Sequence, residues 1–503
     1  MILSHTEVPA DALDQMTPRK RPHSFDVAAS HAYLIGIGGC GMSGLARMLA
    51  ARGAIVSGSD KESSAATDAL IAEGIDVGFD QSREWLPESC DLVIASAAVR
   101  ADHPQMLEAT RRGLPTHVYA EALGLTMLGR TGIAIAGTHG KSTTVGMLGH
   151  TLIRSGLDPT VIVGATASQL ASKPGDSAGF RLGAERIPAG PMKGQPGVLV
   201  AEACEFNRSF HNLYPTIAAI TSVEADHLEI YGSLDAVVQS FRDFARLVPP
   251  AKEGGKLFIN HDGAHRREVT GGVECAVETV GFAPAADWVV TYDTQSRRVG
   301  LSHNGQLVGT WTLRVPGAHM AIDSAFAAVI ALHLGATADN VEAALSSFSG
   351  VDRRMQFLGE KSGVRVYDDY GHHPTEIDTT LRALREAERP EDQGGRLVCV
   401  FQPHQHSRTR FLLEEFAQAF SMADIVIVPH IYFVRDSEIE KTKVSAADLV
   451  DRLRTRGVQA MHLYPFEAIV EQLQNVCRKG DLLVVMGAGP VWQVAKGFLA
   501  AGR

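Results

Sequence analysis

The sequence predicts an α/β protein built from three domains, and three observations support this prediction. The chain has 503 residues, which at about 100 to 200 residues per domain is too long for a single core. Three times along the chain, a short apolar run ends near glycines and leads into an amphipathic helix and another apolar run. A composition of 45% apolar and 21% charged residues is typical of globular proteins and excludes collagen-like, coiled-coil and wholly disordered chains.

The first predicted domain spans residues 31–128 and follows a polar stretch at residues 1–30. That stretch has a basic run, Arg19–Arg21, with no apolar core of signal-peptide length behind it, so we expect a flexible tail on a cytoplasmic protein. Alternating strands and helices predict a small parallel sheet. The predicted elements are strands at 31–35, 54–56, 91–96 and 117–123, with a helix at Met42–Arg52.

The pattern restarts twice, which predicts a central domain at 129–350 and a C-terminal domain at 351–503. Between Ala165 and Gly197 the chain is rich in Gly, Pro, Ser and Ala, and this composition predicts a mobile surface insertion. The predicted central strands are 132–136, 160–163, 198–202 and 216–222, with helices at 142–155 and 234–247, and the predicted C-terminal strands are 364–367, 397–401, 425–428 and 482–486.

Charge and cysteine content limit the partners of the chain. The net charge of −10 disfavours binding to nucleic acid or to an anionic membrane, and no window approaches the 18 apolar residues of a membrane span. The six cysteines lack CxxC spacing, which disfavours a structural zinc site or a disulfide framework. An anionic ligand must therefore be bound by a few local groups.

The sharpest motif is Gly-Thr-His-Gly-Lys-Ser-Thr-Thr at 137–144, where a buried strand turns into a helix. Its glycines allow backbone N–H groups to approach phosphate oxygens, Lys141 adds a mobile cation, and the Ser142 hydroxyl can ligate Mg²⁺. The full Walker pattern would have glycine at position 135, where this chain has Ile135. We interpret the motif as a P-loop with a shortened front end, and a purely structural turn is the alternative.

A second glycine loop, Gly36-Ile-Gly-Gly-Cys-Gly41, opens the first predicted helix, and Asp60 ends the next strand. This arrangement fits a dinucleotide-type diphosphate site, because a helix N-terminus binds phosphate charge whatever the rest of the ligand is. A tight turn without a ligand is one alternative. A nicotinamide-dependent oxidoreductase is another, but it would leave the P-loop unexplained.

Acidic and imidazole side chains follow neighbouring strands. Glu202 ends one central strand and His227 follows the next, so both are expected beside the P-loop, where they could complete Mg²⁺ coordination. In the third segment such groups concentrate at 353–354, 368–376 and 402–410, which suits phosphate stabilisation and carboxylate binding. Surface ion pairs and helix caps are the alternative for any single residue there.

These motifs, in this order, resemble the Mur ligase family from about residue 31 to the C-terminus. The most specific segments are GIGGCGMSG at 36–44, GTHGKSTT at 137–144, EADH at 224–227, DDYGHHPTE at 368–376 and FQPHQHSRTR at 401–410. The resemblance implies a Rossmann-like N-terminal domain for a UDP-sugar, a P-loop central ATPase domain, and a Rossmann-like C-terminal domain that closes over both and receives an amino acid.

The resemblance also implies the reaction of an ATP-dependent carbon–nitrogen ligase that uses Mg²⁺ and acts in peptidoglycan precursor synthesis. The lactyl carboxylate of UDP-N-acetylmuramate would attack ATP, and the amine of L-alanine would then displace phosphate from the acyl phosphate. Other branches use a carbamylated lysine after the Asp-His motif, but no lysine lies between Lys193 and Lys252, which fits the alanine-adding branch. A ligase for a recycled murein tripeptide and a non-catalytic sensor are the alternatives, and a monomer or homodimer is expected.

The resemblance implies roles for individual residues. Catalytic roles are implied for Lys141, Arg354, His227 and His372, and magnesium ligation for Ser142, Glu202 and His227. The implied nucleotide contacts are Gly137, Thr138, His139, Gly140, Lys141, Ser142, Thr143, His319, Asp323, Arg354 and Asp369. The implied substrate contacts are Gly38, Gly41, Met42, Ser43 and Ser96 for the UDP diphosphate, and Tyr370, His404 and Arg408, together with His372, for the amino acid.

Three positions depart from the family pattern. Gln405 stands where many alanine-adding members have arginine, and Met320 and Asp323 replace the two asparagines of a Gly-x-His-Asn-x-x-Asn element. Because an ionised Asp323 could only accept a hydrogen bond, we expect weakened ATP binding if both residues face the nucleotide. The alternative places Met320 in a core and makes Asp323 the cap of a helix that starts at Ser324.

Overall fold

The computed structural model describes residues 22, 24–171, 178–434 and 436–501. Most of the predicted tail, residues 1–21 and 23, and residues 172–177 of the predicted insertion lie outside the described residues. Three sheets, connected mainly by helices, form the described part of the chain. Each sheet lies within one of the three predicted segments, and the α/β class is confirmed.

The N-terminal sheet has five parallel strands in the order β3-β2-β1-β4-β5. The direction in which successive strands are added reverses at β1, so the first helix begins at a topological switch point, where open α/β sheets bind ligands. Its elements are β1 (His31–Ile35), α1 (Cys40–Ala51), β2 (Ile55–Ser59), α2 (Ala65–Ala72), β3 (Asp76–Gly78), β4 (Leu92–Ala95), α3 (Pro104–Arg112), β5 (Thr116–Val118) and α4 (Tyr119–Met127).

The central sheet has ten strands in the order β15-β14-β13-β12-β11-β10-β6-β9-β7-β8. Strands β6, β7 and β9 to β13 form parallel pairs, while β8, β14 and β15 pair antiparallel with their neighbours. The elements are β6 (Thr131–Ala136), α5 (Lys141–Arg154), β7 (Thr160–Ala167), β8 (Ala178–Arg181), β9 (Val198–Glu202), β10 (Ile217–Ile220), α6 (Leu228–Tyr231), α7 (Leu234–Ala245), β11 (Lys256–Asn260), α8 (Arg266–Thr270), β12 (Ala276–Gly281), β13 (Trp288–Asp293), β14 (Arg298–His303), β15 (Gln306–Thr312), α9 (Ala318–His333) and α10 (Ala338–Ser347).

The C-terminal sheet has six strands in the order β16-β17-β21-β18-β19-β20, with only β16 antiparallel. Its elements are β16 (Gln356–Lys361), β17 (Val364–Asp369), α11 (Pro374–Glu388), β18 (Leu397–Phe401), α12 (His406–Phe411), α13 (Leu413–Gln418), β19 (Ile425–Val428), α14 (Ala446–Thr455), β20 (Gln459–His462), α15 (Phe466–Val476), β21 (Leu482–Met486) and α16 (Trp492–Ala500).

Two predicted elements need correction. The predicted insertion between Ala165 and Gly197 is partly regular structure, because β7 continues to Ala167 and β8 adds an edge strand to the central sheet. The predicted strand at 117–123 is strand only to Val118, after which helix α4 begins. Among the described residues, no helix is both long enough and apolar enough to cross a membrane.

Helix α1 of the N-terminal domain packs against β7 and β8 of the central domain. A Cβ atom at Gly44 would lie 2.9 Å from Phe180 Cδ2 and 3.1 Å from Ile162 Cδ1. Leu45 and Ile162 belong to the same buried apolar cluster, which therefore crosses the boundary between the two domains. Close packing explains the glycine at position 44, although the residue belongs to a motif associated with phosphate binding.

Candidate active site

The P-loop connects β6 to α5 and is fixed by the segment that follows β10. The backbone N–H of His139 donates to Ser222 Oγ at 2.8 Å, and that of Thr138 donates to the Ser222 carbonyl at 3.0 Å. Gly140 has φ 84°, and a Cβ atom there would overlap the Asp323 carboxyl group. The loop is therefore held in a conformation that directs the N-terminus of α5 toward a ligand, as phosphate binding requires.

Lys141 is paired with a carboxylate that the sequence interpretation did not assign. Its Nζ lies 2.9 Å from Glu205 Oε2 and donates to the Thr138 carbonyl at 3.1 Å. Burial lowers the pKa of Lys141, but the nearby acidic groups, Glu205 foremost, outweigh burial and raise the pKa. The ammonium group therefore stays charged, and a nucleotide phosphate would compete with Glu205 for it.

Ser142 and Glu202, two predicted magnesium ligands, are in direct contact. Ser142 Oγ donates to Glu202 Oε2 at 3.0 Å, and the Gly164 N–H donates to the same oxygen at 2.9 Å. A hydroxyl and a carboxylate are oxygen ligands of the kind that a hard divalent cation prefers. The side-chain oxygens of Ser142 and Glu202 are therefore suitable ligands for a magnesium ion.

His227, the third predicted magnesium ligand, belongs to a neighbouring group. One ligand atom each from Glu205, Asp226 and His227 lie within 4.8 Å of one another. His227 Nε2 is 3.6 Å from Asp226 Oδ2 and 4.0 Å from Glu205 Oε1. The structure thus offers two adjacent donor groups, and Glu205 connects the second of them to Lys141.

We expect Glu202→Gln to raise the Mg²⁺ concentration needed for half-maximal activity by about 10-fold or more, because a charged oxygen ligand is lost. ADP formation measured across a Mg²⁺ titration gives this value. Glu278→Gln is the matched control, since Glu278 pairs with Lys256 on β11 and β12, away from the P-loop. If the Mg²⁺ dependence of Glu202→Gln matched that of the control, Glu202 would be structural.

A cavity of about 450 Å³ lies between the central and C-terminal domains, within the size range of small-molecule sites. The P-loop and α9 line one side of it, and Arg354 and α11 line the other. Met320 borders this cavity, but its side chain is buried in the main apolar core, as the alternative for this residue expected. The predicted nucleotide residues that line it are His139, Gly140, Thr143, His319, Asp323, Arg354 and Asp369, whereas Gly137, Thr138, Lys141 and Ser142 lie outside its lining.

Asp323 is buried in the second turn of α9, which begins at Ala318, so the alternative of a cap on a helix starting at Ser324 is wrong. Burial raises the pKa of Asp323 to about 8, against opposing effects of Thr144, Arg354 and His139. The expectation of an ionised Asp323 is therefore wrong at neutral pH. A protonated carboxyl group can donate a hydrogen bond, as the amide of an asparagine would.

We expect Asp323→Asn to be more stable than the unmodified protein near pH 8 but not near pH 4. Below about pH 4, Asp323 is protonated in both the folded and the unfolded protein, so its burial carries no cost of ionisation. As the pH rises to about 8, the unfolded protein loses this proton before the folded protein does, and the folded protein becomes less stable. Melting temperatures of both proteins at pH 4 and pH 8 give the difference. A difference that is the same at both pH values would contradict a raised pKa for Asp323.

Arg354 and Asp369 lie together on the C-terminal side of the cavity. Asp369 accepts hydrogen bonds from the N–H groups of Met355 at 2.7 Å and Gly371 at 2.6 Å, and burial raises its pKa to about 6. The Arg354 guanidinium lies 5.1 Å from the centre of the Tyr370 ring. Asp369 therefore fixes the chain next to Arg354, and the Tyr370 ring supports the guanidinium.

The predicted amino-acid residues form one connected cluster. The ring centre of His372 lies 5.5 Å from that of Tyr370 and 5.7 Å from that of His404. Burial lowers the pKa of His372 to about 4, so the imidazole is neutral at pH 7. Its Nδ1 lies 3.2 Å from the Tyr370 carbonyl, to which it donates, and Nε2 is left as a proton acceptor.

Arg408 reaches from the C-terminal domain into the central domain. Its Nε and Nη2 donate to Asp226 Oδ1 at 3.1 and 3.0 Å, and its Nη1 donates to His404 Nδ1 at 3.2 Å. Both members of the Arg408–Asp226 pair are buried. The neighbouring Gln405, the other departure, is also buried and has φ 70°.

The predicted diphosphate residues gather at the switch point of the N-terminal sheet. The Gly38 N–H donates to Asp60 Oδ2 at 2.7 Å, so Asp60 braces the loop. Gly41 packs against the Tyr119 ring, since a Cβ atom there would lie 2.5 Å from Tyr119 Cζ. The side chains of Met42 and Ser43 are buried, and the Ser43 N–H donates to the Gly39 carbonyl at 2.9 Å, so neither side chain is directed to solvent at this point. Ser96 follows β4 beside Gly36.

Sequence reasoning missed the roles of three acidic residues, Glu205, Asp226 and Glu376. All three lie inside or beside the segments identified as motifs, but each pairs with a partner that is distant along the chain. Glu376 alone left a local signal, because it stands three residues after the helix cap His373 and closes a capping box. A capping pattern predicts a helix start and does not predict a contact with the P-loop.

A P-loop ATPase domain set between two further α/β domains, with its nucleotide cavity closed by the third, is the arrangement of an ATP-dependent ligase. Family models match the chain over three consecutive ranges: the Mur ligase family catalytic domain at residues 31–131, the Mur ligase middle domain at 135–331, and the Mur ligase glutamate ligase domain at 353–489. The chain belongs to the Mur ligase family.

Individual relatives agree with the family models. The UDP-N-acetylmuramate–L-alanine ligase of Lachnospira eligens is 37% identical over 475 residues, which cover 93% of this chain and 98% of the relative. The enzyme of that name from Geobacter sulfurreducens is 36% identical over 473 residues, covering 93% and 96%. Among solved structures, the UDP-N-acetylmuramate-alanine ligase of Thermotoga maritima shares the fold with a TM-score of 0.72 at 24% identity, covering 93% of this chain and 98% of that chain.

Proposed function

We propose that the protein joins L-alanine to the lactyl carboxylate of UDP-N-acetylmuramate, at the expense of ATP, in peptidoglycan precursor synthesis. The observation that carries the proposal is that the predicted UDP-sugar site lies next to the predicted magnesium ligands. The N-terminus of α1 contacts the central domain through Cys40, whose Sγ lies 3.5 Å from the Val163 carbonyl, and the Gly164 N–H binds Glu202. A sugar held at α1 would thus present its acid beside Glu202 and Ser142.

In the first step, the carboxylate would attack the γ-phosphate of ATP. Charge then accumulates on a phosphoryl group between two anions, and Lys141 from the P-loop and Arg354 from the C-terminal domain are the cations available to stabilise it. Ser142 and Glu202 would hold Mg²⁺, which supplies further positive charge to the phosphates when bound. Asp369 would keep Arg354 in place by fixing the neighbouring Met355 N–H.

In the second step, the amine of the amino acid would displace phosphate and lose a proton. His372 suits proton acceptance, because it is neutral at pH 7 and its Nδ1 is committed to the Tyr370 carbonyl. Asp226 and His404 hold Arg408 beside the predicted amino-acid site. The positive charge of its guanidinium would attract the carboxylate of the amino acid. This assignment keeps Tyr370, His404 and Arg408 in the predicted amino-acid site.

We further propose the domain ranges 31–128, 129–350 and 351–503, a cytoplasmic location, and a monomer or homodimer. The ranges are supported by the three sheets, whose first and last strands all lie inside them. The alternative of a nicotinamide-dependent oxidoreductase has little support. Such an enzyme would use Asp60 to bind the ribose of the cofactor, but here Asp60 accepts a hydrogen bond from the Gly38 N–H of the glycine loop.

The test is phosphate release in the presence of ATP and UDP-N-acetylmuramate with a panel of amino acids and peptides. We expect L-alanine to support turnover at lower concentration than glycine or serine, and the murein tripeptide L-Ala-γ-D-Glu-meso-diaminopimelate to be inactive. Turnover with the tripeptide in place of alanine would establish the recycling alternative. Binding of both substrates without phosphate release for any amine would establish a sensor.

A further inference from the structure

We propose that His139 is a positioning residue that connects the P-loop to the C-terminal domain and, through Glu376, keeps Arg354 available for the transferred phosphate. The inference rests on ATP-dependent phosphoryl transfer and thus on the first half of the proposed function. It differs from the predicted role of His139 as a direct nucleotide contact.

The imidazole of His139 lies between two carboxylates from different domains. Its Nδ1 is 3.1 Å from Glu376 Oε1 on α11, and its Nε2 is 3.5 Å from Glu224 Oε2 in the central domain. Thr375 Oγ1, next to Glu376, donates to Glu224 Oε2 at 2.6 Å. The P-loop and the first turn of α11 are therefore joined by a short chain of polar contacts at the edge of the nucleotide cavity.

The imidazole is positively charged in this setting. Burial lowers the pKa of His139, but Glu224 and Glu376 outweigh burial and raise it to about 10. The neighbouring His373 ring, 4.7 Å away, is neutral at pH 7 because burial and His139 lower its pKa, and its Nε2 donates to the Ala225 carbonyl at 3.1 Å. Of these two stacked imidazoles, His139 is therefore the one that is charged between Glu224 and Glu376.

Glu376 transmits the effect to Arg354. The oxygen that accepts from His139, Oε1, is also 3.8 Å from Arg354 Nη1. The other oxygen, Oε2, is held by the N–H groups of His372 at 2.9 Å and His373 at 3.2 Å, so the carboxylate cannot move freely. Without the charge of His139, Glu376 would attract Arg354 more strongly and compete with the phosphate for it.

We expect His139→Gln to lower kcat by about 10²-fold with little change in the KM for ATP, because a misplaced Arg354 affects the transition state more than nucleotide binding. Adding His139→Gln to Glu376→Gln should lower kcat no further, since the carboxylate through which His139 acts is then neutral. Two independent effects that multiply in the double variant would overturn the proposal. A raised KM for ATP with unchanged kcat would instead make His139 a direct nucleotide contact.

A second measurement does not depend on which acid and amine are the substrates. Amide hydrogen exchange at residues 371–376, with a saturating non-hydrolysable ATP analogue, should be faster in His139→Gln than in the unmodified protein. His150→Asn is the matched control, because His150 is a partly buried imidazole on α5 that bonds Ser347 at 3.0 Å within the central domain. Equal exchange in all three proteins would overturn the connection, whatever amine supports turnover. Failure of L-alanine in the assay above, with the exchange difference intact, would instead refute only the proposed substrate.

Discussion

Lys141→Ala is expected to lower kcat by about 10² to 10³-fold, the usual loss when one preorganised charge is removed from a transition state. The affinity for UDP-N-acetylmuramate should change little, because that ligand would bind at α1 of the N-terminal domain while Lys141 begins α5. Turnover at saturating substrates and equilibrium binding of the UDP-sugar measure the two quantities separately. Near-normal turnover would refute the P-loop assignment.

Removal of Lys141 also leaves Glu205 buried without its cation, so lost stability has to be separated from lost catalysis. The double variant Lys141→Ala, Glu205→Gln removes both charges and should regain much of the melting temperature without regaining turnover. Lys256→Ala is a matched control, since Lys256 pairs with Glu278 on the far side of β10. Activity regained together with stability would show that Lys141 acts mainly through folding.

Asp226→Ala is expected to destabilise the protein by about 3 to 5 kcal/mol, the usual cost of removing one member of a buried ion pair. Asp226 and Arg408 are both buried, and among the described residues Asp226 is the carboxylate that forms an ion pair with Arg408. Burial raises the pKa of Asp226, but the Arg408 guanidinium outweighs burial and holds this pKa well below its usual range, so Asp226 is ionised at neutral pH. Urea unfolding measures the loss.

The double variant Asp226→Ala, Arg408→Met provides the control, because replacing both charges with apolar groups is often close to neutral. It should recover most of the stability that Asp226→Ala loses, while L-alanine turnover stays low. If the double variant were as unstable as Asp226→Ala, the loss would come from the shape of the Asp226 side chain and not from the unpaired charge.

The sequence predicted the parallel strands of this fold much better than its antiparallel ones. β9, β18, β19 and β21 match the predicted bounds, because strands buried on both faces are nearly continuous apolar runs. The hairpins of β13, β14 and β15 were not predicted, since Trp288–Asp293 and Gln306–Thr312 mix polar and apolar residues on partly exposed faces. The Gly and Ser content around β8 likewise predicted a loop, because this strand forms only by pairing with β7.

Local motifs predicted which residues each segment contributes to the candidate site, but they did not predict the contacts between segments. Ser142 and Glu202 were placed together because both follow neighbouring strands of one sheet. The partner of Lys141 and the contact between His139 and Glu376 depend on how distant segments pack, which periodicity does not encode. The protonation state of Asp323 depends on burial, and burial in the second turn of a helix was not predicted.

Gly44 shows that residues within one motif can be constrained for different reasons. Gly38 lies in the loop at the switch point and Gly41 in the first turn of α1, whereas Gly44 leaves room for the Phe180 ring of another domain. Among related chains, position 44 should therefore vary together with position 180: a larger residue at 44 should occur where residue 180 is smaller, whichever ligand the loop binds. Motif searches that demand glycine at position 44 would miss relatives in which this pair has been exchanged.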